Sequence, residues 1–201
     1  MLTGQHRTPV IDPYTYPGTD ILVNKLDIRD AAELARVEAD LTTLRIAELI
    51  GKPQQGAFDR DHLRAVHRHI FQDLYAWAGE LRTVDIRKET SFFFARPQFI
   101  AGALDDTFAA LARERYLAGQ DLDAFVARAA YYLGEINAIY PFREGNGRVQ
   151  REFIRELGQK RGFVIAWSQA WPEDIVETSA ASFSGDPRPL ADLLRRITAL
   201  A

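Results

Sequence analysis

The chain contains no cysteine. That excludes a disulfide framework and any thiolate metal site, and it accords with a reducing compartment. No apolar run approaches the roughly 20 residues that a membrane-spanning helix needs. The opening residues, Met1-Leu2-Thr3-Gly4-Gln5-His6-Arg7, lack the apolar stretch of a secretory leader. These absences set the expectation of a soluble, cytoplasmic protein with no membrane contact. An excess of one charge is missing too: 25 Lys and Arg against 28 Asp and Glu give a formal net charge of -3. A near-neutral chain lacks the basic surface that direct nucleic-acid binding requires. No internal repeat and no low-complexity tract is visible.

What is present suits one globular domain. The 201 residues are 47% hydrophobic, enough to bury a core. An N-terminal arm, residues 1–26, carries the turn signals Asp12-Pro13-Tyr14 and Tyr16-Pro17-Gly18, with Tyr14 and Tyr16 free to dock on the core. From Asp27 to about Ile50 apolar residues recur at helical spacing, and Gly51-Lys52-Pro53 stop the pattern. Asp59 or Asp61 can cap a second helix carrying Leu63, Val66, Ile70, Leu74 and Trp77 and ending at Gly79. The period then changes. Val84, Ile86 and Phe92-Phe93-Phe94 flank Lys88-Glu89-Thr90-Ser91 and predict a short hairpin. Further helices are expected at about 97–116, 121–138, 147–161, 171–182 and 188–200. The expected fold class is all-α with one β-hairpin, in a helical core spanning 27–200.

The chemistry concentrates in Ile139-Tyr140-Pro141-Phe142-Arg143-Glu144-Gly145-Asn146-Gly147-Arg148-Val149-Gln150-Arg151. An apolar helix runs into Pro141, which cannot continue it, and a helical pattern resumes at Val149. The loop between them has two glycines around one asparagine. Such a loop opening a helix presents backbone N–H groups at the positive end of the dipole, which makes an anion site. Arg148 and Arg151 lie three apart and can face one side, which suits a polyphosphate. Glu144 beside bare phosphate would be repelled, and makes sense with Mg²⁺ between them. The pattern is not the Walker A loop, which needs a Gly-Lys-Ser/Thr ending after a strand.

This stretch, residues 140–151, resembles the Fic-domain signature, His-Pro-Phe-Arg-Glu-Gly-Asn-Gly-Arg, two residues, then Arg. Every position matches except the first, where Tyr140 stands. The likeness extends upstream through Leu63 to Asp73 and Tyr75 to Arg82, and places the family's flap at about 84–95. It covers most of the chain, so 1–201 is expected to be a single Fic-type domain.

The resemblance implies transfer of AMP from ATP to a hydroxyl of a target protein. It implies Mg²⁺ held by Glu144 against the α- and β-phosphates. Arg143, Gly145, Asn146, Gly147, Arg148 and Arg151 would bind the nucleotide, with Asn146 and Arg148 also stabilising developing charge. The flap residues Ile86, Arg87, Lys88, Glu89, Thr90, Ser91 and Phe92 would pair with an extended target segment. The family's histidine is the general base, and Tyr140 occupies its place. A phenol of reference pKa about 10 is ionised in only about one molecule in a thousand at pH 7. Loss of a positioned base commonly costs about 10²–10⁴-fold, so this chain is expected to be catalytically impaired. A loss selected or introduced to silence a toxin and a natural pseudoenzyme would leave the same sequence.

No Ser or Thr has Glu four positions later, so the family's inhibitory helix is not expected in cis. The class implied is a toxin restrained by a small antitoxin that supplies a glutamate to Arg151. Its family-level targets are the ATPase subunits of DNA gyrase and topoisomerase IV. The alternative function is a non-catalytic nucleotide- or partner-binding module of the same fold. Other features have plainer expectations. His62, His67 and His69 on one helix read as core or surface residues rather than a metal site. Asp105-Asp106 read as a solvated face, Trp77, Trp167 and Trp171 as core, and the Leu190 to Leu200 stripe as a docked amphipathic helix.

Overall fold

The computed structural model describes residues 12–86 and 94–201. Aspartates start three of its helices. Asp30, Asp59 and Asp121 each sit extended at an N-cap and accept from an N–H three residues on, giving α1 (Ala31–Gly51), α2 (Arg60–Phe71) and, later, α4 (Leu122–Ile139). Pro97 opens α3 (Pro97–Arg113), where its missing N–H costs nothing. After α4 come α5 (Asn146–Lys160), strand β1 (Phe163–Ile165), α6 (Pro172–Phe183), α7 (Arg188–Ile197) and strand β2 (Thr198–Leu200).

The centre is α4. It packs on α3, α5, α6 and α7, with Phe125, Ala129, Tyr132 and Ile136 at 0% exposure. Helix α5 lies between α4 and α2 and buries Val149, Phe153, Ile154 and Leu157. The glycine loop thus hangs between two helices that are each packed on several others.

The fold class stands as expected: mostly helical, with one small antiparallel sheet. Among the described residues, the sheet lies apart from the expected flap. It pairs Phe163 with Leu200, Val164 with Ala199 and Ile165 with Thr198. The last predicted helix overran as a result. It ends at Ile197, and Thr198 turns extended to pair with β1. Of the expected hairpin, residues 84–86 are irregular and 87–93 lie outside the described residues.

The second helix also ends sooner, at Phe71 rather than Gly79. Residues 72–79 form successive turns whose apolar side chains mimic a helical stripe, Leu74 and Tyr75 being almost wholly buried. Trp171 is a further correction: it caps α6 and is 73% exposed, while Trp77 and Trp167 pack partly buried against the core. The arm docks as expected. Tyr14 is buried edge-on to Trp77 and its hydroxyl meets Thr83 Oγ1. Among the described residues, no helix is long and apolar enough to cross a membrane.

Candidate nucleotide site

Helix α4 ends because Pro141 cannot extend it. Tyr140 takes a left-handed conformation (φ 51°, ψ 64°) and its N–H closes on Ile136 O. The last carbonyls of a helix need donors. Arg82 supplies them. Its guanidinium donates to Ile139 O and Tyr140 O, and also to Val84 O and Ala95 O, on either side of the expected flap. Its backbone N–H donates to Pro141 O. Arg82 is 2% exposed, and burial lowers its pKa from the usual arginine value.

The loop is then fixed from beneath. Phe142 is buried and stacks on the His67 ring at 3.9 Å. His67 Nδ1 accepts from Gly79 N–H at 2.8 Å, which leaves Nε2–H to donate to Glu144 O at 3.2 Å. Burial pushes His67 down to about 3, so the ring is neutral. Asn146 is an internal brace: Oδ1 accepts from Phe142 N–H and Nδ2 donates to Phe142 O. Asn146 as a whole is 1% exposed.

Gly145 is the N-cap of α5 with φ 77°, and a Cβ there would lie 2.0 Å from Phe71 Cζ. Glycine is required on both counts. Among the described residues, the N–H groups of Asn146, Gly147 and Arg148 have no hydrogen-bond acceptor. These are the first donors of a helix start, with the dipole behind them.

The charged side chains divide into two sides. Glu144 Oε1 accepts from Gly145 N–H at 2.7 Å and lies 3.4 Å from Arg148 Nη2. Arg148 also donates to Glu38 and Thr42 on α1 and lies over the Phe71 ring at 4.8 Å. Arg143 pairs with Asp12 of the arm at 2.9 Å. Arg151 differs: among the described residues it has neither an ion pair nor a side-chain hydrogen bond. Burial, then the charge of Arg148, lowers its pKa. A guanidinium in that setting favours an incoming anion.

Arg151, Gly147, Gln150 and Tyr140 line a cavity of about 330 Å³. Phe94, Trp167, Ile175 and Phe183 give it apolar walls. That volume lies within the range of small-molecule sites. The Tyr140 ring stacks on Phe94 at 4.0 Å, and burial, then Glu144, raises its phenol further above its usual range. Glu144 and Arg148 do not line this cavity; they stand on the α1 side of the loop.

Of the expected site residues, all of 140–151 come together around one loop. Ile86 lies outside any strand, and Arg87, Lys88, Glu89, Thr90, Ser91 and Phe92 lie outside the described residues. The three histidines separate as core and surface groups: His62 is buried against Glu156, and His69 meets Glu48. No cluster of three metal-binding side chains occurs among the described residues. Sequence reasoning missed Arg82, His67, Glu38 and Asp12. Each acts through a contact 58 to 131 residues away in the chain, which no local pattern records.

Residues 57–157 match the Fic/DOC family. The chain is 42% identical over 185 residues to the protein adenylyltransferase VbhT of Bartonella schoenbuchensis, covering 92% of this chain and 38% of that protein. It is 40% identical over 189 residues to y4lH of Sinorhizobium fredii, named a probable protein adenylyltransferase, covering 94% of this chain and 96% of the relative. The chain thus spans well under half of VbhT and nearly all of y4lH. Among solved structures, it superposes with a TM-score of 0.86 on the N-terminal Fic domain of a cell-filamentation protein of Bartonella quintana with bound ADP, at 29% identity over 93% of this chain and 94% of that one. With its glycine loop, its buried brace residues and these relatives in agreement, the chain belongs to the Fic/DOC family.

Proposed function

We propose that this chain has the machinery of a protein adenylyltransferase, using ATP, with its transfer step silenced by Tyr140. The observation that carries the reading is Arg151: a half-buried guanidinium without an ion pair among the described residues, at the wall of a cavity beside the N–H groups that open α5. Apolar walls suit a purine, and the cation and N–H groups suit its phosphates. Relatives named adenylyltransferases and a Fic-domain neighbour with bound ADP support the same class.

In the reaction, a target hydroxyl oxygen bonds to the α-phosphorus as the bond to the β-phosphate oxygen breaks. In the family's reaction the hydroxyl proton would go to a histidine at the position that Tyr140 holds here, and pyrophosphate would leave. The N–H groups of residues 146–148 and the arginines meet charge that grows on the phosphates. Glu144 would hold Mg²⁺. The fit is that of a single carboxylate with Oε2 outside any hydrogen bond among the described residues, the rest of the shell coming from phosphate and water. Bound there, the ion would neutralise phosphate charge. Tyr140 cannot take the proton, because its half-buried phenol is held above an already high pKa.

The flap about 84–95 would receive the target, with the ATPase subunits of DNA gyrase and topoisomerase IV as the proposed class. A small antitoxin would bring a glutamate to Arg151, the cation that this chain leaves without an ion pair among the described residues. The test of the site is ADP binding by calorimetry with Mg²⁺. Arg151→Ala is expected to weaken binding about 10-fold or more, in line with a lost charged hydrogen bond. Unchanged affinity would remove Arg151 from the site. The second reading, a binding module that never catalysed transfer, rests on Tyr140 itself, and predicts no gain when histidine is restored.

A further inference from the structure

We infer that Glu38 is a positioning residue of the phosphate site: it holds the Arg148 guanidinium on α1, so that its ion pair with Glu144 stays long, at 3.4 Å, and does not close. The inference rests on the nucleotide reading of the loop.

Glu144 and Arg148 are four residues apart, a spacing at which opposite charges pair across a helical turn. Left alone they would close into a charge-assisted pair. Arg148 Nη2 is instead 2.5 Å from Glu38 Oε1 and 3.4 Å from Glu144 Oε1, so one nitrogen faces two carboxylates and sits on the one from α1. Arg148 Nη1 donates to Thr42 Oγ1 at 3.1 Å, one turn along α1 from Glu38. Glu38 is itself held. Its Oε2 accepts the Tyr75 hydroxyl, whose ring stacks on Trp77 at 4.3 Å. The Glu38 side chain is only 14% exposed. A carboxylate so enclosed depends on both partners.

The consequence is specific. With Glu38 present, Glu144 keeps one carboxylate oxygen free of hydrogen bonds among the described residues, and Arg148 is ordered before any ligand arrives. Without Glu38, Arg148 would swing onto Glu144, and the two groups best placed to meet a metal-bound phosphate would be spent on each other. Charge counting alone says the opposite. Removing an anion near a polyphosphate site should tighten binding, so the sign of the effect decides between the two.

The experiment is calorimetric titration of ADP with Mg²⁺ into the parent chain, Glu38→Ala, Glu38→Gln, Arg148→Ala and the Glu38→Ala/Arg148→Ala double variant. Circular dichroism melts confirm folding, and the isosteric Glu38→Gln carries the test if Glu38→Ala does not fold. Glu38→Ala is expected to weaken binding about 10-fold, as loss of a charged hydrogen bond does, and Glu38→Gln to weaken it less. The double variant should bind no worse than Arg148→Ala alone, because Glu38 acts through Arg148. Equal or tighter binding by Glu38→Ala, or additive losses in the double variant, overturns the inference and leaves the nucleotide reading standing. A parent chain that binds no ADP overturns both.

Discussion

Gly145 shows how narrowly single residues shape the loop. Two demands meet there: a left-handed φ of 77°, and a Phe71 ring where a Cβ would go. Gly145→Ala is expected to cost about 2–4 kcal/mol, combining backbone strain with an overpacked ring. Gly185 separates the two causes, since its φ is 99° with no atom within 4 Å of a Cβ. Gly185→Ala should therefore cost about 1 kcal/mol from strain alone. Equal losses in thermal melts would contradict the Phe71 contact. At this scale the sequence was informative about which residues gather and less so about what each does. Asn146 was expected to reach the phosphates, and the structure gives its amide a second task, bracing Phe142 through Oδ1 and Nδ2. Motif spacing records proximity, and a hydrogen-bond partner is set by tertiary geometry.

Between elements, His67 joins α2, the turns after it and the loop. It reaches Gly79 N–H, Glu144 O and the Phe142 ring at once. His67→Phe would keep the stacking and leave both backbone groups without their partner, a loss of about 2–4 kcal/mol near pH 7. The pH dependence has a definite sign. The folded value of about 3 lies below the usual 6.5 of a free histidine. The unfolded chain therefore takes up the proton first, and the His67 contribution, complete above about pH 6.5, is lost as pH falls toward 3. That loss runs at up to about 1.4 kcal/mol per pH unit. The phenylalanine variant lacks it, so urea denaturation should show the gap between parent and variant narrowing from pH 7 to pH 4.5. A constant gap would mean that His67 is not held neutral. Helix positions were legible from capping aspartates and apolar spacing, because those signals are local. Helix α7 and β2 were not separable: Thr198 is extended only because β1 lies beside it.

For the molecule as a whole, the arrangement is a helical frame around one loop at which Arg143, Glu144, Arg148 and Arg151 gather. Helices α4 and α5 supply the frame, α1 orders Arg148 through Glu38, and the arm ties Arg143 through Asp12. The family and the loop were readable from thirteen residues in order. The supports from α1, Arg82 and the arm were not, since they depend on folding bringing distant residues together. On the proposed reading, what the frame lacks is a proton acceptor at position 140: a half-buried phenol raised by its surroundings stands where an imidazole near pKa 6.5 would serve.

The most direct measurement is therefore transfer of label from α-labelled ATP with Mg²⁺ to the purified ATPase subunits of DNA gyrase and topoisomerase IV and to a bacterial lysate, comparing the parent chain with Tyr140→His. The account predicts labelled protein with Tyr140→His and a rate lower by about 10²–10⁴-fold with the parent. Equal labelling by the two would show that Tyr140 does not silence transfer. Absence of labelling by Tyr140→His, with ADP binding intact, would contradict the transferase reading and leave a nucleotide-binding module.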